Sequence, residues 1–291
     1  DRPLVMGGDY NYPPFEFLDE HGRPTGYNVD LMRALAEAVG MDIEIRLGPW
    51  TDIMDALAHG EIDGILGMFY SPERDKRFDF SQAHIVNQCV GVVRRGTGTP
   101  PSGVAELAGL SLVVQHGDIM HAFARDHGLT NNLTVVPAQE EALRAVAAGE
   151  HDCALVTRMT AHYWIEALEL DQLVVGRTPL LSPEYCFAVP TGDKALLAEL
   201  SEGLHLLEHS GKYHEINQKW MGVYQDKGFS VSAVLGYVAV VVGPLLLVLG
   251  LILLWSWSLR RQVAKRTAAL QQSEGRLSRL NRVLRAIRDV N

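Results

Sequence analysis

Short apolar runs alternate with amphipathic segments throughout residues 1–227. Residues 4–8 form an apolar run that predicts a strand, and residues 29–39 have apolar positions at helical spacing before Gly40, which suits a helix end. The alternation predicts an α/β domain with mainly parallel sheets. The other predicted strands are 42–47, 64–68, 111–115, 134–136, 153–156 and 173–175, and the other helices are 53–58 (capped by Thr51 or Asp52), 119–127, 139–148, 161–167, 194–210 and 213–221.

The strand and helix series occurs twice, which predicts two lobes. Two extended apolar runs, residues 88–93 and 185–189, are suited to crossing between them. We therefore predict lobe 1 from residues 1–93 and 189–225, and lobe 2 from residues 94–188. Two crossovers make a hinged clamshell, and a cleft between lobes is where a small-molecule ligand is usually buried.

A long uncharged segment follows this domain. No side chain from Gly228 to Leu259 is charged, and the segment predicts a transmembrane helix over residues 232–257. Basic residues follow directly, so the positive-inside rule puts residues 258–291 in the cytoplasm and residues 1–227 in the periplasm or outside the cell. The predicted location is the inner membrane, with the lipid bilayer as a partner. Since the sequence starts without methionine or an apolar export segment, we expect an export signal or a first membrane helix upstream.

The segment 258–291 has a heptad pattern. Nine positions spaced alternately by four and three residues carry seven apolar and two polar side chains, which predicts a coiled coil and a parallel homodimer. The alternative is a single basic amphipathic helix on anionic lipid. The nine positions are Leu259, Val263, Arg266, Leu270, Ser273, Leu277, Leu280, Leu284 and Ile287.

Charge and composition exclude several function classes. The formal net charge is −9, but residues 258–291 carry +7, which leaves −16 on residues 1–257. The strongly acidic charge of residues 1–257 argues against nucleic acid as a partner. No Cys and His cluster has metal-ligand spacing and no nucleotide-binding motif occurs, so we expect neither a metal nor a cofactor. The three cysteines lie in apolar runs, which predicts buried thiols.

An ordered set of motifs extends over residues 1–222: DYNYPPFEF at 9–17, GYNVDL at 26–31, Trp50, GEID at 60–63, SPER at 71–74, FDFS at 78–81 and GKYHEINQKW at 211–220. This set resembles the family 3 extracellular solute-binding proteins, periplasmic proteins that capture polar amino acids. The resemblance implies a two-lobed periplasmic-binding-protein fold and a solute in the interlobe cleft.

The resemblance also implies site residues in lobe 1. Arg74 is similar to the arginine that binds the ligand carboxylate, a role suited to a planar guanidinium. Tyr12 matches the aromatic residue that covers the ligand, and Trp50 matches a second apolar wall. Gly67 and Met68 stand where a strand end faces the ligand, with the register open by one position because the following segment is one residue shorter than usual.

Lobe 2 departs from the family pattern. The segment 115–119 (QHGDI) replaces the usual Gly-Thr turn, so Asp118 and Ile119 stand at a helix start that suits an anion, unless Asp118 caps the helix. Thr157 stands where amino-acid binders have the acid that pairs with the ligand ammonium. A buried ammonium without a counter-charge is costly, so we expect a small carboxylate or other polar solute rather than a standard α-amino acid.

The tail resembles the signalling helix that joins sensor domains to output modules in bacterial receptors. We therefore expect the sensory part of a histidine kinase, with a diguanylate cyclase as the next output. A membrane-tethered transport component is an alternative from another class. An enzyme is a third, with Glu16, Glu184 and Asp118 as candidate acids, but their pattern indicates no acid and base pair.

Overall fold

The computed structural model describes residues 2–222, 242–257, 259–261, 263, 266, 267 and 275. The chain divides into two compact units, Asp1–Gln225 and Asp226–Asn291, which are described separately.

The first unit contains strands and helices in alternation. Its strands are β1 (Leu4–Asp9), β2 (Asn11–Tyr12), β3 (Glu16–Leu18), β4 (Pro24–Thr25), β5 (Ile43–Gly48), β6 (Gly64–Phe69), β7 (Phe78–Val86), β8 (Cys89–Arg94), β9 (Leu112–Gln115), β10 (Leu133–Val136), β11 (Cys153–Thr157), β12 (Leu173–Val175) and β13 (Glu184–Pro190). Its helices are α1 (Tyr27–Val39), α2 (Trp50–Ala58), α3 (Ile119–Asp126), α4 (Gln139–Ala148), α5 (Arg158–Ala167), α6 (Lys194–Ser210) and α7 (Lys212–Met221), with short 3₁₀ helices at Arg74–Lys76 and Val104–Leu107.

Two five-stranded sheets define two lobes. The sheet of lobe 1 has the order β5-β1-β6-β13-β7, and the sheet of lobe 2 has the order β10-β9-β11-β8-β12. Sheet membership changes before β8 and again before β13. Each crossover therefore lies a few residues earlier than the predicted lobe boundaries at residues 93 and 188.

The two-lobed α/β fold agrees with the sequence, but the prediction of mainly parallel sheets is wrong. β1 is parallel to β5 and β6, and β9 is parallel to β10 and β11. The crossover strands β13 and β8 run antiparallel to both of their neighbours, because each enters its sheet from the opposite lobe. The sheets are therefore mixed.

Most helix ends follow their predicted signals. The helix α1 ends at Gly40, whose φ of 77° is the left-handed conformation that glycine adopts readily. The predicted cap of α2 is wrong: the helix begins at Trp50 and its N-cap is Pro49, so Thr51 and Asp52 lie inside the first turn. Proline suits this position because its φ is fixed and it has no N–H to satisfy.

The helices after the second crossover return to lobe 1. Leu200 and Leu204 of α6 are fully buried in the core that also contains Leu35 of α1. Asp30 of α1 accepts a 2.8 Å hydrogen bond from the Trp220 indole N–H and a 2.6 Å bond from Lys219, both on α7. The domain therefore begins and ends in lobe 1.

In the second unit, residues 242–257 are helical. Val242–Arg261 is long and apolar enough to cross a membrane, by length and composition. Residues 232–241 of the predicted transmembrane helix lie outside the described residues, as do six of the nine predicted seam positions. Leu259, Val263 and Arg266 are described and are helical.

Candidate ligand site in the interlobe cleft

A small cavity lies where four strands end. The last residues of β1, β6, β9 and β11 are Asp9, Phe69, Gln115 and Thr157, and the first three of them line the cavity. Ligands of α/β proteins commonly bind at the carboxyl ends of parallel strands. This inner cavity is lined by Asp9, Tyr12, Trp50, Phe69, Gln115, Asp118 and Tyr185.

Asp9 connects the lobes at the floor of the inner cavity. Its Oδ2 accepts a 2.7 Å hydrogen bond from Gln115 Nε2 of lobe 2, and its Oδ1 accepts a 2.9 Å bond from the Asn11 N–H. Burial raises the pKa of Asp9 to about 6, although both hydrogen bonds oppose that change. The Asp9 carboxylate therefore lies in a polar environment that is shielded from solvent, where a cationic group would stabilise its charged form.

Asp118 supplies a second carboxylate from lobe 2. It is the N-cap residue of α3 and is 6% exposed, and its Oδ2 accepts a 3.2 Å hydrogen bond from Gln139 Nε2. Gln139 Oε1 in turn accepts a 3.0 Å bond from the Thr157 N–H. Burial raises the pKa of Asp118, and the charge of Arg74 opposes the rise. Two buried acids thus face one cavity.

Aromatic rings form the rest of the wall. Tyr12 lies edge-on to Phe69, with ring centroids 6.5 Å apart, and Phe69 lies 4.5 Å from Tyr185. The Tyr12 hydroxyl hydrogen-bonds to Thr157 Oγ1 across the cleft. The Trp50 indole N–H donates to the Gly117 carbonyl oxygen of lobe 2 at 3.1 Å. Acids together with aromatic faces are the surroundings that favour an organic cation.

Arg74 lies beside the inner cavity and also bridges the lobes. Its Nη1 donates to the Phe69 carbonyl oxygen at 2.8 Å, and its Nη2 donates to the Gly117 carbonyl oxygen at 2.9 Å. The guanidinium carbon is 5.6 Å from the centroid of the Trp50 ring. These two bonds use two of the five N–H groups of the guanidinium, which leaves three for an anion.

Glu16 is a buried acid that hydrogen-bonds to Tyr185, a residue of the cavity wall. Glu16 is fully buried and does not line the inner cavity. Its Oε1 accepts a 2.9 Å hydrogen bond from the Tyr185 hydroxyl, and its Oε2 accepts one from Asn28 Nδ2. Burial raises the pKa of Glu16 to about 8. Gly67 is needed here, because a Cβ at this residue would lie 2.5 Å from the Tyr185 ring.

The site residues predicted from the sequence lie in three different environments. Tyr12, Trp50 and Asp118 line the inner cavity, while Arg74 and Thr157 contact residues that line it. Gly67 acts through its lack of a side chain, and Ile119 is buried in the core at the start of α3. The assignment of Met68 needs correction: its side chain packs in the core beside Trp50, and the next residue, Phe69, faces the cavity.

Sequence reasoning missed four cavity-facing residues: Asp9, Gln115, Phe69 and Tyr185. Among the described residues, no group of three or more His, Cys, Asp or Glu side chains is arranged to hold a metal ion. Glu184, a candidate acid for an enzyme, is exposed and does not line the inner cavity.

Residues 4–223 match the model of the bacterial extracellular solute-binding proteins, family 3. A relative by sequence is the L-cystine-binding protein TcyJ of Escherichia coli (strain K12), 23% identical over 220 residues that make up 75% of this chain and 82% of that protein.

Two solved structures share the fold. A histidine kinase sensor domain with similarity to periplasmic binding proteins is 38% identical with a TM-score of 0.74, over 76% of this chain and 96% of that one. An ancestral arginine-binding protein bound to glutamine is 26% identical with a TM-score of 0.69, over 76% of this chain and 98% of that one. With a family model matched over most of its length, this chain belongs to the bacterial extracellular solute-binding proteins, family 3.

Proposed function

We propose that the extracellular domain binds an amino acid or a closely related amine in the interlobe cleft. The observation that carries this proposal is the pair of buried carboxylates, Asp9 and Asp118, in one cavity with aromatic walls. An ammonium group between them would be paired and desolvated together with its counter-charges. The ligand carboxylate would take the remaining N–H groups of Arg74 at the edge of the same cavity.

This proposal reverses the expectation drawn from Thr157. The sequence has no acid at that position, which argues against an α-ammonium group. In the structure the Thr157 hydroxyl bonds to Tyr12, and the acids come from the ends of β1 and from the start of α3 instead. The counter-charge is therefore available from other elements. Relatives whose names specify L-cystine or arginine favour the same class of solute.

We further propose that the chain is the sensory and membrane portion of a bacterial signalling receptor of the histidine kinase type. Two observations favour a receptor over a tethered transport component. The similar sensor domain is the more identical of the two solved structures, and an apolar helix, Val242–Arg261, follows the domain. A dimeric coiled coil over residues 258–291 would carry the signal, and the 291 residues themselves would have no enzymatic activity. A diguanylate cyclase output is the alternative.

Binding to the whole 291-residue chain in lipid nanodiscs tests the ligand class. Isothermal titration with the standard amino acids and L-cystine should find at least one ligand. Asp9→Asn and Arg74→Met should each weaken it by about 30-fold or more, because removing one partner of a buried charge pair costs about 2–5 kcal/mol. The matched exposed variants Asp42→Asn and Arg33→Met should bind as the wild type does.

Unchanged affinity in both cleft variants would show that the ligand binds elsewhere. Absence of binding by every amino acid tested would reject the ligand class, and would leave the family membership and fold untouched.

A further inference from the structure

A second cavity adjoins the first on the far side of Arg74 and Asp118. It also lies between the lobes. We call it the outer cavity. It is lined by Met54, Ser71, Glu73, Arg74, Arg77, Phe78, Gly117, Asp118, His121, Ala122 and Arg125. Unlike the inner cavity, it has a single aromatic residue in its wall and several cationic side chains.

Lobe 1 contributes two arginines. Arg74 begins the 3₁₀ helix Arg74–Lys76, and Arg77 is its C-cap residue. Both arginine side chains line the outer cavity. The Arg77 guanidinium carbon is 5.3 Å from the centroid of the Phe78 ring. Within residues 2–222, no carboxylate is paired with Arg77.

Lobe 2 contributes two further donors from α3. His121 and Arg125 are four residues apart and therefore share a helix face. The Gly117 N–H donates to His121 Nδ1 at 3.1 Å, which fixes the tautomer with a proton on Nε2. Burial lowers the pKa of His121, and His116 and Arg125 lower it further. A neutral imidazole with a free N–H can donate to an anion without a charge of its own.

The two carboxylates of the outer cavity are already engaged. Glu73 forms a 3.1 Å ion pair with Arg125 across the cleft, and both side chains are largely exposed to solvent. Asp118 accepts from Gln139, and its charge acts on Arg74. Donors therefore exceed acceptors in the outer cavity, and Arg77 is the cation without an anionic partner. The inner cavity has the opposite balance, with two acids and no cation among its lining residues.

We propose that the outer cavity binds a second anionic group, a carboxylate or phosphate, of the same solute whose ammonium group lies in the inner cavity. This inference rests on the proposed function. It narrows the solute to amines that carry an anionic group on the side chain, for which L-glutamate is a probe with a neutral isostere, L-glutamine. The α-carboxylate of such a solute binds Arg74, and the distal anion binds Arg77 and His121.

Titrations of the whole chain in nanodiscs with L-glutamate and L-glutamine test the inference. Wild type should bind L-glutamate at least about tenfold more tightly, since a hydrogen bond to a charged group contributes about 1.5–3 kcal/mol. Arg77→Gln should weaken L-glutamate binding about tenfold and weaken L-glutamine binding much less. Arg33→Gln, an exposed arginine of α1, is the matched control and should change neither affinity.

If the wild type binds both amino acids with equal affinity, the proposal that the outer cavity binds the side-chain anion is wrong. The proposed function would remain. Binding of neither amino acid, while an amino acid without an anionic side chain binds, would also overturn the proposal for the outer cavity. Titration with inorganic phosphate distinguishes an anionic group of the solute from a free phosphate ion. If phosphate binds alone, requires Arg77 and adds to L-glutamine binding while L-glutamate shows no preference, the outer cavity holds a free ion and the proposal of one shared solute is wrong.

Discussion

Replacing Glu16 by glutamine tests the buried layer behind the inner cavity. Glu16 is fully buried, and burial raises its pKa from 4.5 to about 8. The amide has nearly the same shape and accepts the hydrogen bond from the Tyr185 hydroxyl. Its Nε2 takes the place of Oε2, which accepts from Asn28 Nδ2, so the Asn28 amide must turn over and present Oδ1, a buried atom without a hydrogen-bond partner among the described residues, as the acceptor. Glu16→Gln therefore retains the neutral form of the side chain at every pH.

The sign of the pH effect follows from the direction of the pKa change. Because the pKa of Glu16 is higher in the folded state, the folded protein keeps this proton in a range where the unfolded chain loses it. The stabilisation is complete below the unfolded pKa of 4.5 and is lost as the pH rises towards 8. Between pH 5 and pH 8 the free energy of unfolding should fall by about 3–4 kcal/mol through Glu16 alone.

Urea denaturation of residues 1–225 at pH 5 and pH 8 measures this difference. Glu16→Gln should gain about 3–4 kcal/mol relative to wild type on going from pH 5 to pH 8. Asp9, with its pKa raised to about 6, and His84, with its pKa lowered to about 3 by burial, also titrate, but both are present in the two proteins and cancel. The exposed variant Glu61→Gln should follow wild type. Parallel pH curves for wild type and Glu16→Gln would refute the argument.

Two further predictions concern packing and assembly. Gly67→Ala should destabilise the domain by about 1–3 kcal/mol and weaken ligand binding, because its Cβ would lie 2.5 Å from the Tyr185 ring; Gly98→Ala, with open space around its Cβ, should do neither in a thermal melt with and without ligand. Leu277→Asp should abolish crosslinked dimers of the whole chain, whereas Ser278→Asp, off the predicted seam, should keep them; dimers that persist in Leu277→Asp would exclude the seam.

Local patterns were sufficient for much of the fold. The helices Gln139–Ala148 and Lys194–Ser210 have the predicted bounds, because their apolar spacing and flanking residues are contained in one short stretch of sequence. The orientation of the crossover strands was not predictable in this way. The strands β8 and β13 are apolar like their neighbours, and their antiparallel direction comes from the path of the chain between lobes.

The site was only partly predictable for a related reason. Its two acids come from residues 9 and 118, and Tyr185 arrives from the second crossover, so no window of sequence contains them together. One general signal was available: Asp9 and Gln115 are polar residues that end apolar strands, and such strand ends meet at the ligand edge of a parallel sheet. The sequence does not distinguish Met68 from Phe69 as the cavity-facing residue, because a shift of one residue in register moves a side chain to the other face of a strand.

The return of the chain to lobe 1 determines how force enters this domain. The first strand and the last helix both belong to lobe 1, so any attachment at either end would pull on that lobe alone. Lobe 2 is connected to lobe 1 by two strands and by side-chain contacts such as that of Tyr163 with Phe17, whose ring centroids are 5.6 Å apart. The Phe17 ring also packs against Trp220, with ring centroids 6.2 Å apart. Within residues 2–222, a movement of lobe 2 can therefore reach the ends of the domain only through such contacts and the two connecting strands.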